Sequence, residues 1–526
     1  MLLSSLLVLV ALGMGGYLWV DVELERLFPA QTPVTSTARQ DCQMSSFPNL
    51  PQVALHSTSW HTLQGGYCKV RGTIETEINF ELLLPRNWNG KFAMGGGGGF
   101  VGSVDNIALL YGAVRSGYAS AGTDTGHSAH RIDARWALNN PERLENFGHR
   151  AVHLTATTAK ALLATYYGRE STENYFIGCS RGGGQGLMEA QRYPDDFDGI
   201  VAGAPAFNWP MLAANGVQIA QKMFPDPDNL QAAVIGPAQQ TLIEQTYLNQ
   251  CDALDGLEDG IIEDPRACPF DITTLQCTSA AQTDCLSDTQ VAAMQQVYGG
   301  AKDNQGQLYF GYPIGGETSD QGMGQWLTGG TQFNKDISKP QEKGGKSAPT
   351  MPNATFGFST GIMKNMIFND PDWDYSTYDF EGFRDAAEHA ASVLNATDPD
   401  LRLFRQRGGK LLMYHGWSDM ALSAFATIDY YEQILTTDPS ASTDVRLYMM
   451  PGVDHCIGGT GPSLVNFLTV IDQWVTSGTP PEALTARWLR FGIVPTGSRP
   501  ICPFPQRAVY NGEGKVRRAH SYHCAL

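Results

Sequence analysis

The sequence has no charged residue between Leu2 and Val20, no C-x2-C pair, no internal repeat, and few basic residues for its acidic ones. Each absence narrows what the chain is. The uncharged run LLSSLLVLVALGMGGYLWV at 2–20 reads as a cleaved signal peptide or an N-terminal membrane anchor. No Lys or Arg precedes it and no clear A-x-A site follows it, so both readings stand. Either one sends the bulk of the chain out of the cytoplasm, secreted or periplasmic, with any membrane contact confined to that segment. The lack of closely paired cysteines removes the common zinc sites. With 36 Lys and Arg against 53 Asp and Glu, the net charge of −17 excludes a nucleic-acid surface, which needs a basic face.

What is present is ample core. A chain of 526 residues that is 42% hydrophobic exceeds one ordinary core, so a main domain with a large insertion, or two domains, is expected. The ten cysteines are even in number, which suits disulfides in an exported chain. Cys251–Cys268, Cys277–Cys285 and Cys502–Cys524 would close short loops, and Cys42–Cys68 would tie down the start of the mature chain. Cys179 and Cys456 remain, far apart in sequence.

Residues 21–41, rich in Pro, Thr, Ser and Gln, read as a linker. After Gly72 the pattern TIETEINFELLLP alternates and then turns apolar, as antiparallel and then buried strands do. KFAMGGGGGF at 91–100 predicts a strand running into Gly95–Gly99, and YASAGTDTGH at 118–127 a second short strand. Residues 141–167 show helical spacing and stop at Gly168. NYFIGCSRGGGQGLMEAQRYP then goes strand, sharp turn, helix. Such alternation predicts a mostly parallel sheet covered on both faces. It lapses after Pro210 and resumes at KLLMYHGWSD, 410–419. The expected organisation is therefore a core in two parts, 42–210 and 401–526, with a lid domain at 211–400 between them.

Gly178-Cys179-Ser180-Arg181-Gly182 matches the G-x-S-x-G nucleophile elbow of an α/β-hydrolase. A serine forced into a strand-to-helix turn needs neighbours without side chains, and the helix start favours a developing oxyanion. Serine also needs a base. In the chain order Ser, acid, His, the base is His455, in PGVDHCIGG just past the apolar strand VRLYMM, and the acid is Asp419, closing KLLMYHGWSD. Asp454 adjoins His455 but would point away from it. His415 reads as a packed histidine, and His520 and His523 as tail residues. The oxyanion hole should combine the N–H of Arg181 with one from Gly97 or Gly98, where glycine lets the backbone approach the substrate. Cys179 precedes the nucleophile and Cys456 follows the base, so a bridge between them would fix the Ser–His distance. In CDALDGLEDGII, Asp252, Asp255 and Asp259 could bind calcium with the carbonyls of Leu257 and Ile261, or form a solvated acidic turn.

With these residues assembled, the chain resembles the tannase and feruloyl esterase family, whose disulfide joins the cysteines beside its Ser and His. GTDTGH at 122–127, WALNNPERLENFGHRAVH at 136–153, CSRGGGQGLMEAQRYPDDFDGIVAGAPAFNW at 179–209 and FNDPDWD at 368–374 carry the likeness over most of 42–526. The resemblance implies an α/β-hydrolase core, a lid domain carrying structural calcium at CDALDGLEDGI, no organic cofactor, and a small aromatic ester as substrate. The family acts on galloyl esters, hydroxycinnamoyl esters and, in one branch, mono(2-hydroxyethyl) terephthalate. That last branch is associated with a lid arginine, and here no Arg stands between Arg266 and Arg384. The other reading is a non-catalytic binding protein on the same fold, though such chains usually lose a member of the Ser-Asp-His set. Trp326, Phe356, Phe358 and Trp373 are candidates for either the acyl pocket or the lid core.

Overall fold

The computed structural model describes residues 36–37, 41–279, 282–331, 351–490 and 494–526. The signal or anchor segment and nearly all of the linker lie outside the described residues. Among the described residues, no helix is long and apolar enough to cross a membrane.

Nine strands form the central sheet: β1 (Val53–His61), β2 (Tyr67–Ile74), β3 (Ile78–Pro85), β4 (Phe92–Gly95), β5 (Ala119–Thr123), β6 (Asn174–Cys179), β7 (Gly199–Gly203), β8 (Lys410–Gly416) and β9 (Val445–Met450). Their order across the sheet is β9-β8-β7-β6-β4-β5-β3-β2-β1. The pairs from β1 to β3, and β3 with β5, are antiparallel. All pairs from β5 to β9 are parallel. This is the α/β-hydrolase arrangement the sequence leads one to expect. TIETEINFELLLP is split by a turn at 75–77, between β2 and β3. Its residues carry no Gly, Pro or Asn signal; instead Glu75 takes a left-handed φ of 54° and pairs with Arg150.

Period-two alternation sorts the parallel strands between two faces. Phe176, Ile200, Leu411, Met413 and Leu447 face the layer of α1 (Ala151–Tyr167), α2 (Arg181–Arg192) and α5 (Ala424–Thr437). Their neighbours Tyr175, Ile177, Val201, Leu412 and Tyr448 face α6 (Phe467–Ser477), where Phe467, Ile471 and Trp474 are buried. With β6 to β9 covered on both sides, their carboxyl ends converge on one rim, and the candidate catalytic residues stand there.

Among the described residues, no strand between Gly203 and Lys410 joins this sheet. The intervening chain leaves on α3 (Trp209–Met223), which runs through position 210. It builds its own cluster from Ile219, Met223, Ile243, Met294, Tyr312 and Leu327, into which Met420 of the core also packs. Five disulfides join Cys42–Cys68, Cys179–Cys456, Cys251–Cys268, Cys277–Cys285 and Cys502–Cys524, the pairings expected from the sequence.

Candidate active site

Ser180 stands between β6 and α2 with φ 62° and ψ −124°, a conformation non-glycine residues rarely adopt. Its N–H donates to the Gly203 carbonyl at 2.9 Å, and its own carbonyl accepts from Gly184 and Ala206. Glycine is obligatory around it. A Cβ on Gly178 would lie 2.1 Å from the Gly182 carbonyl, and one on Gly184 would lie 1.9 Å from the Ala206 oxygen. The motif is thus steric in origin: strand and helix touch backbone to backbone, which tips the serine outward.

Asp419 and His455 meet as expected. His455 Nδ1 donates to Asp419 Oδ2 at 2.8 Å, which turns Nε2 to the other side of the ring. Asp419 is buried, and its Oδ1 accepts the N–H groups of Ala421 at 2.8 Å and Leu422 at 3.0 Å. Burial alone would raise its pKa. The charge of His455 and hydrogen bonds from His415 and His455 overcome that and hold the carboxyl well below the usual range. His415 is packed in the core, as its place in the strand implies, and its Nε2 lies 3.2 Å from Asp419 Oδ2. No spacing rule marks such a contact.

The Cys179–Cys456 bridge, with Cα atoms 6.0 Å apart, ties the residue before Ser180 to the residue after His455. Cys456 itself has φ 68°, so both loops are strained where they are joined. Arg181 buries its guanidinium against Phe147 at 4.2 Å and Trp209 at 5.3 Å. Burial pushes its pKa down to about 9. That side chain is committed to the core, while its backbone N–H, first in the helix, has no intrahelical acceptor. The glycine loop reaches the elbow, with Gly182 pressed against Gly97. The Gly97 N–H donates to Gln185 Oε1 at 3.1 Å and the Gly98 N–H to Asp105 Oδ2 at 3.4 Å. For either amide to serve a substrate oxygen, the present bond must yield; that of Gly98 is the longer.

Of the four insertion aromatics, two reach the site. Trp326 sets its ring edge-on to His455 at 5.1 Å, and Phe358 lies 6.4 Å from Trp326 and 5.0 Å from Phe100. Phe356 packs on Phe224 and Tyr375, and Trp373 on Phe368 and Tyr378, within the insertion. Phe100, which follows the glycine run, is fully buried and backs Phe358 from the core. Asp454 turns from His455 to the insertion, where Ser319 donates to its Oδ2. Burial first, then the charges of Asp419 and Asp320, push its pKa up to about 7 against the Ser319 bond.

In the acidic loop, both oxygens of Asp252 accept from Gly260 N–H at 3.0 Å. Asp255 and Asp259 accept from Leu257 and Ile261 N–H. Arg499, from a distant strand, lies 3.6 Å from Asp255, 3.3 Å from Asp259 and 2.8 Å from Glu263. Burial above all, and the neighbouring aspartates, raise the pKa of Asp255 and Asp259 against the pull of Arg499. Asp255 Oδ2 is buried without a hydrogen-bond donor. Crowded carboxylates, one of whose oxygens has only the Arg499 charge and no hydrogen bond, fit a hard cation. A group of His, Asp and Glu with ligand atoms close together lies elsewhere. His153, Glu189 and Asp196, at the α1–α2 seam, bring ligand atoms within 4.8 Å of one another and could hold a metal ion. Lys160 already pairs with Asp196 at 3.3 Å there, and burial pushes Glu189 well above the carboxylate range.

The family model described as tannase and feruloyl esterase matches residues 63–525. A mono(2-hydroxyethyl) terephthalate hydrolase from Piscinibacter sakaiensis is 33% identical over 522 aligned positions, covering 87% of this chain and 85% of that one. Feruloyl esterase B from Aspergillus niger is 30% identical, covering 93% and 92%. The crystal structure of feruloyl esterase B from Aspergillus oryzae superposes with a TM-score of 0.78 at 27% identity, covering 91% of this chain and 98% of that one.

Proposed function

The chain belongs to the tannase and feruloyl esterase family of carboxylic ester hydrolases, and from that premise we propose that it cleaves esters of aromatic acids through an acyl intermediate on Ser180. The observation that carries this is the 2.8 Å bond from His455 Nδ1 to Asp419, on a loop bridged by Cys456 to the nucleophile elbow. His455 Nε2 takes the Ser180 proton as Oγ attacks the ester carbonyl. The oxygen that becomes negative is met by the Arg181 N–H and by an amide of Gly97 or Gly98. The imidazolium then protonates the departing alcohol. Water, activated by the same imidazole, attacks the acyl group and frees the acid. Trp326 and Phe358, the latter backed by the buried Phe100, suit a flat acyl group of hydroxycinnamic or gallic type. A mono(2-hydroxyethyl) terephthalate activity is the second reading, favoured by the 33% identity to that hydrolase. Five disulfides support a place outside the cytoplasm. Asp252, Asp255 and Asp259, with the carbonyls of Leu257 and Ile261, would hold a calcium ion whose charge offsets their mutual repulsion.

The test is Ser180→Ala, assayed on methyl ferulate, methyl gallate and mono(2-hydroxyethyl) terephthalate. Loss of kcat by at least about a thousandfold on whichever ester the wild type prefers is expected, with the fold intact by circular dichroism. Turnover at the wild-type rate would end the proposal.

A further inference from the structure

The acid of the site carries two imidazoles. His415 lies on β8, four residues before Asp419, and both side chains are fully buried. Its Nε2 is 3.2 Å from Asp419 Oδ2 and 3.2 Å from the Leu422 carbonyl, and its Nδ1 is 2.8 Å from Thr427 Oγ1. A carbonyl has no proton to offer and Asp419 is held ionised, so Nε2 carries the hydrogen, bonded to the Leu422 carbonyl and close to Asp419 Oδ2. Nδ1 then accepts from the Thr427 hydroxyl on α5. Asp419 thus receives two backbone N–H groups on Oδ1 and His455 on Oδ2, with His415 Nε2 also standing 3.2 Å from Oδ2.

A buried imidazole loses its water and needs partners to replace it, so an apolar residue would fill this space more simply. What histidine adds is a donor on the oxygen that His455 uses. Oδ2 is anchored through His415 and Thr427 to a helix, independently of the His455 loop. When His455 becomes an imidazolium and pulls on Oδ2, that anchor keeps the carboxylate in place. We propose that His415 is a positioning residue for the catalytic acid, holding Asp419 Oδ2 against His455 throughout the reaction cycle. This rests on the catalytic reading of Ser180, His455 and Asp419 given above.

Removing a donor makes a carboxylate more basic and strengthens its hold on the imidazolium, which shifts the acidic limb of kcat/KM to higher pH. Apart from the two histidines, the ionisable groups facing Asp419 are Tyr309 and Tyr312 from the insertion, Tyr414 on β8, and Asp454 beside His455. The three tyrosines are pushed far above their ordinary range by burial and stay neutral. Asp454, at about 7, titrates in the working range, so Asp454→Asn identifies its share of the profile.

The experiment is the pH dependence of kcat and KM for methyl ferulate in wild type, His415→Leu, His415→Gln, Thr427→Val and Asp454→Asn, with Ser180→Ala as control. In His415→Leu, kcat falls about tenfold with KM nearly unchanged, and the acidic limb rises by about half a pH unit. His415→Gln, whose amide N–H can replace the imidazole donor, recovers most of both. Thr427→Val, which leaves His415 in place but removes its own donor, loses activity to an intermediate degree. A wild-type kcat and limb in a folded His415→Leu overturns the proposal. So does a Gln variant no better than Leu when both match the wild-type Tm. Should His415→Leu not fold, an unchanged profile in Thr427→Val overturns it. Activity surviving in Ser180→Ala would instead sink the catalytic reading itself.

Discussion

Asp454 shows how one side chain beside the site links stability to pH. An aspartate titrates near 3.8 in an unfolded chain and at about 7 in its buried place against Ser319. The folded state therefore keeps the proton after the unfolded state has lost it. This residue's contribution is most favourable below pH 3.8 and is lost as pH rises to about 7. Asp454→Asn should raise Tm by a few degrees at pH 8 and leave it nearly unchanged at pH 4, as thermal denaturation at the two pH values will read. An equal shift at both would refute the linkage. Ser180, Asp419 and His455 were legible in the sequence because chemistry fixes their types and chain order, and sterics fixes the glycines around Ser180. The bond from His415 to Asp419 was not, since an imidazole packed in a core and one bonded to a carboxylate leave the same trace in a strand.

Elements were legible where periodicity is strong and illegible where a turn uses an unexpected residue. The helix stop at Gly168 is a left-handed cap, as its glycine implies. The turn inside TIETEINFELLLP was hidden because a glutamate takes the left-handed conformation. The acidic loop shows a second kind of blindness: Asp252, Asp255 and Asp259 could be read as a cluster, but Arg499, more than two hundred residues on, could not be read as its counter-charge. Arg499 offsets only part of three crowded carboxylates, so a divalent cation should still stabilise the loop. Chelation of the purified protein should lower Tm by several degrees, and calcium should restore it better than magnesium. In Asp255→Asn that response should be much reduced. A wild-type Tm indifferent to chelator and calcium would count against a cation in this loop.

At the scale of the molecule, the insertion grips the catalytic loops. Met420, next to the acid, is buried in the insertion's own core, and Tyr312 donates to the Ala421 carbonyl at 3.2 Å. Ser423 donates to Gly311 at 2.6 Å, Trp326 abuts His455, and Ser319 holds Asp454. The Cys179–Cys456 bridge closes the frame from the other side. A two-part core around an inserted segment could be inferred from where the strand pattern lapses. The contacts across it could not, because they join residues a hundred or more positions apart and obey no local period. These contacts hold the loops of Asp419 and His455, and the covalent role proposed for Ser180 has a direct test. Rapid quenching of a single-turnover reaction with a feruloyl ester, followed by peptide mass spectrometry, should find one feruloyl group on the peptide containing Ser180, formed as one equivalent of alcohol is released. Alcohol release with no acyl adduct on that peptide, or with the acyl group on another residue, would contradict it.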